Sequence, residues 1–350
     1  MGRRVLITGI AGHLAGKLAL RLEEDPQVEY LVGVDLDEPR IDLRRLEFVR
    51  ADIRNPLVVK VLQTTEVDTV VHLSLLATPR GVGGRSQMKE INVIGTMQLF
   101  AACQRAEKLR RVVMKSTTAV YGAGARDPAV FTEDMAARSE SPRGYTKDAI
   151  EAEGYARSFA RRRDDVEMTI LRFANFMGRD IHSSLTRYFS LPVIPTPLGY
   201  DPRLQLIHED DAVEALHRVI TGDHPGIFNV TADGIVMLSQ ALRILGKLSI
   251  PVALPLASPV GSVLRRLGLV DFSSDQLRLL VYGRVADNRR MTEELGFHPQ
   301  RTTRQALEDF GRGQKVRRLI SAEQLAEWER EAYAFLRRKG QEQFERTKGT

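Results

Sequence analysis

The sequence predicts an α/β fold in which a doubly wound parallel sheet is joined to a smaller, interleaved C-terminal domain. Short apolar segments alternate with segments of helical periodicity through the first third of the 350 residues. Strands this apolar are typical of parallel sheets that helices cover on both faces. Right-handed crossovers between such strands then wind the sheet outward in both directions.

The predicted elements alternate in order from the start of the chain. Each strand is a short apolar run that ends at glycine or a polar residue, and each helix repeats apolar residues every three or four positions. The predicted strands are residues 5–7, 31–34, 48–49, 68–73 and 111–114. The predicted helices are residues 14–22, 57–64 and 90–106.

Composition and charge favour a soluble, cytoplasmic protein. The single cysteine, Cys103, excludes an internal disulfide framework and lies in an apolar helical stretch, where we expect it to be a buried packing residue. The net charge of +6 comes without a basic stripe, so we expect no nucleic-acid partner. No apolar run approaches the roughly 18 residues of a membrane span, and we expect no signal peptide.

A glycine-rich loop at residues 9–14 follows the first predicted strand and opens the first predicted helix. Gly9 permits a tight turn, Gly12 lets the backbone approach a pyrophosphate, and Ala15 is small enough for close packing of helix on strand. The backbone amides of Ala11-Gly12-His13-Leu14 then face the phosphates at the start of the helix. The loop, in this strand-to-helix context, predicts a dinucleotide-binding site.

Asp35 ends the second predicted strand and indicates which dinucleotide is bound. A carboxylate at this position accepts hydrogen bonds from the adenosine ribose hydroxyls and repels a 2′-phosphate. We therefore expect NAD as the cofactor in preference to NADP. Two alternatives stay open, namely Asp35 as an ordinary strand terminator and NADP binding assisted by nearby Arg40.

Further motifs follow in order along the chain. They are Ala51-Asp52-Ile53-Arg54, Val71-His72-Leu73-Ser74, Asn92-Val93-Ile94-Gly95-Thr96, Lys115-Ser116-Thr117-Thr118-Ala119-Val120-Tyr121-Gly122, Leu171-Arg172-Phe173-Ala174-Asn175 and Leu206-Ile207-His208-Glu209-Asp210-Asp211. Over about residues 4–315 the chain resembles the extended short-chain dehydrogenase/reductase family, in its NAD-dependent epimerase/dehydratase, UDP-glucose 4-epimerase-like group. The resemblance implies a Rossmann-type fold, NAD, and a nucleotide-sugar as the small-molecule substrate. It also implies a homodimer formed through helices near residues 88–107 and 147–163.

The resemblance assigns roles to particular residues, and none of them is a metal ligand. Thr117 takes the position of the catalytic serine or threonine, and Lys147 is implied to hold the nicotinamide ribose. Substrate contacts are implied for Thr117 and Asn175. Arg203 or Arg179 is a further candidate for contact with a diphosphate, with an ordinary surface arginine as the alternative for each. Cofactor contacts are implied for Gly9, Ala11, Gly12, His13, Leu14, Asp35, Asp52, Ile53, Leu73, Ser74, Asn92, Ser116 and Lys147.

One position departs from the family pattern Pro-x-x-Tyr-Gly-x-Ser-Lys-x-x-x-Glu. Arg143 stands where the catalytic tyrosine is expected, four residues before Lys147. A guanidinium stays protonated and cannot act as a base, although it can donate hydrogen bonds to an oxyanion or a phosphate. Tyr145 is two residues further along the expected helix, about 200° around its axis, so we expect it to point elsewhere unless the helix begins later.

Other side chains are weaker candidates for the missing base. We expect His72 and His182 to be bystanders and His208 to be a structural hydrogen bonder. Asp210 and Asp211 are expected to cap the helix that follows them.

We expect residues 1–175 to form the NAD-binding domain, with a later contribution near residues 205–232. Residues 176–318 are then mainly a substrate domain, and residues 319–350 form a C-terminal helix with a frayed tail. The apolar segment 251–270 is expected to be core or cap, with the lining of an apolar pocket or a membrane-facing patch as alternatives.

Two classes of function remain open from the sequence. The first is an NAD-dependent epimerase, dehydratase or reductase that acts on a nucleotide-sugar or related polyol through an altered proton-transfer residue. The second is a non-catalytic NAD-binding regulatory or scaffold protein that keeps the fold and has lost the base. The retained Thr117, Lys147, Asn92 and Asn175 favour the enzyme, and Arg143 favours the alternative.

Overall fold

The computed structural model describes residues 2–78, 83–137, 144–255 and 274–314. Several predicted features lie outside the described residues, namely Arg143, most of the segment 251–270 and the C-terminal region 319–350.

A large parallel sheet organises the chain. In chain order the strands are β1 (Arg3–Thr8), β2 (Val28–Asp35), β3 (Leu46–Arg50), β4 (Thr69–His72), β5 (Arg111–Thr117), β6 (Glu167–Phe173), β7 (Asn175–Met177), β8 (Val193–Pro197), β9 (Arg203–Leu204), β10 (Leu206–His208), β11 (Gly226–Val230), β12 (Val236–Met237) and β13 (Leu248–Val252). The large sheet has the order β3-β2-β1-β4-β5-β6-β11, with all neighbours parallel. Because the order runs outward from β1 in both directions, the predicted doubly wound Rossmann-type sheet is confirmed.

Helices connect these strands. They are α1 (His13–Glu23), α2 (Leu57–Thr65), α3 (Arg85–Lys89), α4 (Thr96–Cys103), α5 (Tyr145–Ala160), α6 (Ser184–Ser190), α7 (Glu209–Thr221), α8 (Leu238–Leu245), α9 (Ser274–Tyr282), α10 (Arg289–Glu293) and α11 (Thr303–Gly313). A π-helical segment, Glu90–Gly95, joins α3 to α4 where we expected one continuous helix. The widened turn contains Asn92, whose side chain bonds the loop after β4, and such turns are frequent at functional sites.

The strands of the large sheet bury side chains on both faces. Val5 and Val113 belong to a core that also contains residues of α1 and α7, whereas Leu6 and Val112 belong to a core with residues of α2, α4 and α5. Adjacent residues of one strand thus point to opposite cores, as the pleat requires. This two-sided burial explains why the strands are continuous apolar runs.

A third core lies in the C-terminal part of the chain. Tyr188 and Phe189 of α6 pack there with Leu242 of α8 and Phe310 of α11. Small two-stranded sheets pair β7 with β10, β8 with β13 and β9 with β12. Strands β7 to β10 precede β11 in the chain, and β12 and β13 follow it. Between them, β11 joins the large sheet beside β6. The smaller part is therefore interleaved with the large sheet, as the sequence predicted.

Two bulk features of the described residues bear on function. Cys103 is buried, as expected, and burial raises the pKa of its thiol to about 12. Within the described ranges, no helix is both long and apolar enough to cross a bilayer.

Candidate active site

The glycine-rich loop lies at the carboxyl end of β1 and is held there by Asp35. The Gly9 amide donates to the Val34 carbonyl (2.9 Å), and the Ala11 amide donates to Asp35 Oδ2 (3.0 Å). Gly9 has a φ of 77°, and a Cβ at this position would lie 2.9 Å from Ser74 Oγ. Glycine is therefore required at the turn, and the loop and Asp35 form one cradle.

The start of α1 offers backbone amides at this cradle. Gly12 is the N-cap residue, and no side chain caps the helix. The His13 ring is hydrogen-bonded to Glu209 at the start of α7, and Leu14 packs against the core. What His13 and Leu14 can offer a ligand is therefore their backbone amides, which the first helical turn leaves unpaired.

Asp52 and Ile53 follow β3 at the same edge of the sheet. Arg54 Nη2 donates to Asp52 Oδ2 (2.6 Å), and this bond keeps the pKa of the Asp52 carboxyl below its usual value. Ile53 is buried, and its Cδ1 would lie 2.7 Å from a Cβ placed on Gly95. The expected contacts of Asp52 and Ile53 with adenine stay a prediction.

Asn92 holds the loop that follows β4. Its Nδ2 donates to the Leu76 carbonyl (2.9 Å), and its Oδ1 accepts the Leu76 amide (2.7 Å). Leu73 and Ser74, in the same segment, are buried beside the glycine loop. In the structure Asn92 is thus a positioning residue for this segment, although the sequence resemblance implied a direct cofactor contact.

A buried polar network joins β5, β6 and α5. Ser116 Oγ donates to Glu153 Oε1 (2.6 Å), and Arg172 Nη2 donates to Glu153 Oε2 (2.7 Å). Arg172 Nη1 also donates to the Tyr121 hydroxyl (2.9 Å), which donates to Asn229. Ser116 Oγ therefore holds the helix α5, and the implied contact of Ser116 with the cofactor stays a prediction.

Glu153 also indicates how α5 aligns with the family pattern. The pattern Tyr-x-x-x-Lys-x-x-x-Glu ends on a glutamate, and the glutamate that this network buries is Glu153, eight residues after Tyr145. In this alignment Tyr145 takes the tyrosine position and Ala149 the lysine position. The register that puts Arg143 at the tyrosine position ends on Glu151 instead, and Glu151 is only half-buried.

Tyr145 lies at the first position of α5, so our expectation for its direction needs correction. We placed Arg143 and Tyr145 on one helix, but α5 begins at Tyr145, after Gly144 with a φ of 141°. The Tyr145 hydroxyl is hydrogen-bonded to Thr117. The two residues line a cavity of about 70 Å³ together with Asn175, and other lining residues include Ser184 and Arg284.

The electrostatics of Tyr145 favour the protonated hydroxyl. Burial raises its pKa to about 12, while the hydrogen bond to Thr117 and the positive charge of Arg284 act in the opposite direction. Thr117 Oγ1 also accepts the Ala119 amide (3.1 Å), which fixes the threonine at the end of β5. At neutral pH the pair therefore presents a proton donor to the cavity.

Neither Lys147 nor Arg203 is among the described residues that line this cavity. The Lys147 side chain is 43% exposed, and its Nζ lies 3.9 Å from Glu151 Oε1. Arg203 lines a different cavity with Tyr282 and Arg284. Their implied roles at the nicotinamide ribose and the substrate stay predictions, and so does the role of Arg143 outside the described residues.

The alternative bases are occupied elsewhere. His72 is fully buried between Thr8 Oγ1 (2.8 Å) and Thr96 Oγ1 (2.9 Å), and burial lowers its pKa to about 3. His208 accepts the Asp210 amide, so it is the N-cap of α7, and our assignment of that cap to the aspartates was wrong. Asp210 pairs with Lys17, because its carboxylate points back to α1.

The fold and this site define a class of protein: an α/β enzyme with a dinucleotide cradle and a Thr–Tyr pair at the edge of a parallel sheet. The model of the NAD-dependent epimerase/dehydratase family matches residues 5–231. The chain belongs to this family, which is a family of NAD-dependent enzymes.

Comparisons with whole chains agree with this assignment. An uncharacterized protein of Mycobacterium tuberculosis is 44% identical over 340 residues, covering 96% of this chain and 90% of the relative. The structure of MoeE5 with UDP-glucuronic acid and NAD is 22% identical, with a TM-score of 0.70 over 89% of this chain and 98% of that chain. The UDP-glucose 4-epimerase of Thermotoga maritima with UDP-glucose is 18% identical, with a TM-score of 0.69 over the same shares. Both structural matches show the fold.

Sequence reasoning missed Ser184 and Arg284 at the cavity. Ser184 is 2% exposed, and its hydroxyl has no hydrogen-bond partner among the described residues. Arg284 is 9% exposed, and its Nε donates to the Gly122 carbonyl (2.7 Å). The pair Ser183-Ser184 before an apolar helical stretch was the available sequence signal for Ser184. Arg284 lies about 100 residues further along the chain in no recognisable motif, so no sequence signal was available for it.

Proposed function

We propose that this protein is an NAD-dependent epimerase/dehydratase-type oxidoreductase that acts on a nucleotide-sugar or related polyol, with Tyr145 as the proton-transfer residue. The observation that carries the proposal is the hydrogen bond between Tyr145 and Thr117 inside the cavity that Asn175 also lines. Tyr145 stands two positions later than the family pattern led us to expect. The pair would exchange a proton with a substrate hydroxyl or carbonyl oxygen.

The cradle at β1 and β2 fits NAD. Gly9 keeps the backbone close to Ser74, and Asp35 offers carboxylate oxygens at the strand end. The unpaired amides at the start of α1 fit a pyrophosphate, and a carboxylate at Asp35 favours the 2′-hydroxyl of NAD. Bound NAD supplies the hydride acceptor and donor of the reaction.

The chain's own residues account for substrate orientation and proton transfer. Thr117, whose Oγ1 accepts the Ala119 amide, is hydrogen-bonded to the Tyr145 hydroxyl at the end of β5. In this position it would also orient the substrate oxygen. Tyr145 gives its proton in the reductive direction and takes one in the oxidative direction. Since its pKa without ligands is about 12, the oxidative direction needs additional positive charge, part of which Arg284 provides.

The polar groups of the cavity support a sugar substrate. Asn175 and Ser184 line it, and the Ser184 hydroxyl, which has no hydrogen-bond partner among the described residues, would gain one when a substrate hydroxyl binds. MoeE5 binds UDP-glucuronic acid and the Thermotoga enzyme binds UDP-glucose, so both neutral and acidic UDP-sugars belong in a substrate panel. The guanidinium of Arg284 favours the acidic members of that panel.

Arg143 and the non-catalytic hypothesis remain as alternatives. If Arg143 occupies the tyrosine position and Tyr145 does not act, the protein is a regulatory or scaffold member that binds NAD without turnover. Ala149 favours this alternative, because it leaves the helix without a lysine one turn after Tyr145.

The experiment is a panel of UDP- and dTDP-sugars, neutral and acidic, with NAD and the purified protein. The near-ultraviolet absorbance of the reduced nicotinamide reports hydride transfer, and product analysis reports epimerisation or dehydration. We expect turnover with at least one nucleotide-sugar, and we expect Arg143→Met to retain it within about threefold. Absence of turnover across the panel, with intact NAD binding, would favour the non-catalytic alternative, and its selective loss in Arg143→Met would return the catalytic role to Arg143.

A further inference from the structure

Lys115 lies on β5, close to the candidate active site, and neither the dinucleotide cradle nor the Thr117–Tyr145 pair accounts for a lysine there. It lies on β5 two residues before Thr117, so the two side chains leave the strand on the same side. Two residues along a strand span about 6.6 Å, and an extended lysine side chain has a similar length. The Lys115 ammonium can therefore reach the level of the Thr117 hydroxyl.

The position of β5 in the sheet places this ammonium relative to the glycine loop. β5 lies two strands from β1, with β4 between them. At about 4.8 Å per strand, the end of β5 is about 10 Å from the loop after β1. A dinucleotide whose pyrophosphate lies on that loop therefore brings its nicotinamide half to the end of β5.

The surroundings of Lys115 are unusual for a lysine. Its side chain is half-buried and has no hydrogen bond or ion pair with any residue that the structure describes. Burial lowers the pKa of its amine to about 8, and the nearby His72 ring is neutral. By contrast, the partly buried Lys17 is bonded to Glu209 and Asp210. An unpaired ammonium in such a place destabilises the fold unless a ligand supplies oxygen atoms to it.

Helix α5 has a small apolar residue at the position where the family pattern has its lysine. One turn after Tyr145 it carries Ala149, which is fully buried. Its Lys147 lies beside Glu151 with 43% of the side chain exposed.

We propose that Lys115 is a cofactor-binding residue whose ammonium donates hydrogen bonds to the ribose hydroxyls of the nicotinamide half of the dinucleotide. The inference rests on the proposed function only in taking the ligand to be a dinucleotide. It requires no turnover and can therefore be tested by binding alone.

The first test compares the affinity for NAD of Lys115→Met and Lys115→Arg with that of the wild type by calorimetry. We expect Lys115→Met to weaken binding by about 10- to 100-fold, because a hydrogen bond from a charged donor is lost, and Lys115→Arg to recover part of it. Lys60→Met, at an exposed position of α2, is the matched control, expected within about twofold of the wild type. We also expect the unliganded Lys115→Met protein to melt at the same or a higher temperature, since a half-buried ammonium that has no partner among the described residues has been removed.

The second test needs no variant. A low-pKa amine reacts faster with acetic anhydride near pH 8 than ordinary lysines do, so Lys115 should be acetylated before the exposed Lys60 in the native protein, and NAD should slow the reaction at Lys115 but not at Lys60. Unchanged NAD affinity in Lys115→Met, or acetylation of Lys115 that NAD does not slow, would overturn the assignment. Failure of the proposed function would give a different result. NAD binding would still depend on Lys115, but no nucleotide-sugar in the panel would reduce the bound NAD.

Discussion

Single residues determine where the chemistry can occur. Gly144 has a φ of 141°, a backbone conformation that residues other than glycine avoid. This conformation immediately before Tyr145 allows α5 to begin at Tyr145. A later start to the helix changes which side chain meets Thr117. The sequence alone could not predict this, since the residue types around Arg143 and Tyr145 fit a helix that begins at either position.

Asp35 provides the prediction about cofactor choice. Its carboxylate accepts the Ala11 amide at the end of β2, close to the loop that fits the pyrophosphate. We expect the wild type to bind NAD more tightly than NADP, because a 2′-phosphate would meet this carboxylate. Asp35→Ala should weaken NAD binding and reduce the preference, as measured by calorimetric titration with both dinucleotides.

Asp37→Ala is the control, since Asp37 is exposed on the loop after β2. Equal or tighter binding of NADP by the wild type would refute the assignment of Asp35.

At the scale of elements, most strands and helices followed from apolar periodicity, because both faces of a parallel sheet must be covered. The departures occur where polar contacts override the pattern. The π-helical segment Glu90–Gly95 contains Asn92, which bonds the loop after β4. The Ser116 hydroxyl, which the resemblance assigns to the cofactor, donates to Glu153 of α5, and its contact with the cofactor stays a prediction.

The contact between α5 and β6 gives a prediction about stability. Glu153 is fully buried between Arg172 and Ser116. Glu153→Gln leaves the Arg172 guanidinium buried without its counter-charge, so we expect a loss of about 3–5 kcal/mol of unfolding free energy. Chemical denaturation measures it.

Glu151→Gln on the same helix is the control, because Glu151 is partly exposed and its cation is 3.9 Å away. It should change stability by less than about 0.5 kcal/mol. A similar small loss in both variants would show that the buried network contributes little.

The strand β4 gives a prediction about pH. His72 has a folded-state pKa of about 3 against about 6.5 when unfolded, so the unfolded chain binds the extra proton first as pH falls. The stability that neutral His72 contributes is therefore complete above pH 6.5 and is lost between about pH 6.5 and 3, at up to about 1.4 kcal/mol per pH unit.

The measurement is the difference in unfolding free energy between the wild type and His72→Gln at several pH values. Taking the difference removes the contribution of other titrating groups, such as Asp25. A difference that does not change between pH 7.5 and 5 would contradict the burial of a neutral ring.

At the scale of the whole molecule, the fold brings residues from distant segments to one cavity. Thr117 and Tyr145 come from the N-terminal half, whereas Ser184 and Arg284 come from the interleaved C-terminal part. The sequence predicted the sheet, the glycine loop, Thr117 and Asn175 because each belongs to a local motif. It could not predict Ser184, Arg284 or the surroundings of Lys115, since these depend on packing between segments far apart in the chain.

The expected homodimer remains a prediction at this scale. Helices α4 and α5 would form its interface, and Ile94, just before α4, is 40% exposed. Sedimentation equilibrium should give twice the mass of the chain, 39.3 kDa, and Ile94→Asp should shift the equilibrium toward monomer. A monomeric wild type at micromolar concentration would refute it.

The central claim is that Tyr145 transfers the proton in an NAD-dependent reaction. The most direct measurement is the rate at which the reduced nicotinamide appears when a reactive nucleotide-sugar is mixed with NAD and either the wild type or Tyr145→Phe. We predict a rate about 10² to 10⁴ lower for Tyr145→Phe with unchanged NAD affinity, because only the hydroxyl is removed, while Tyr200→Phe at an exposed tyrosine has no effect. A wild-type rate in Tyr145→Phe would contradict the account and leave proton transfer to another residue.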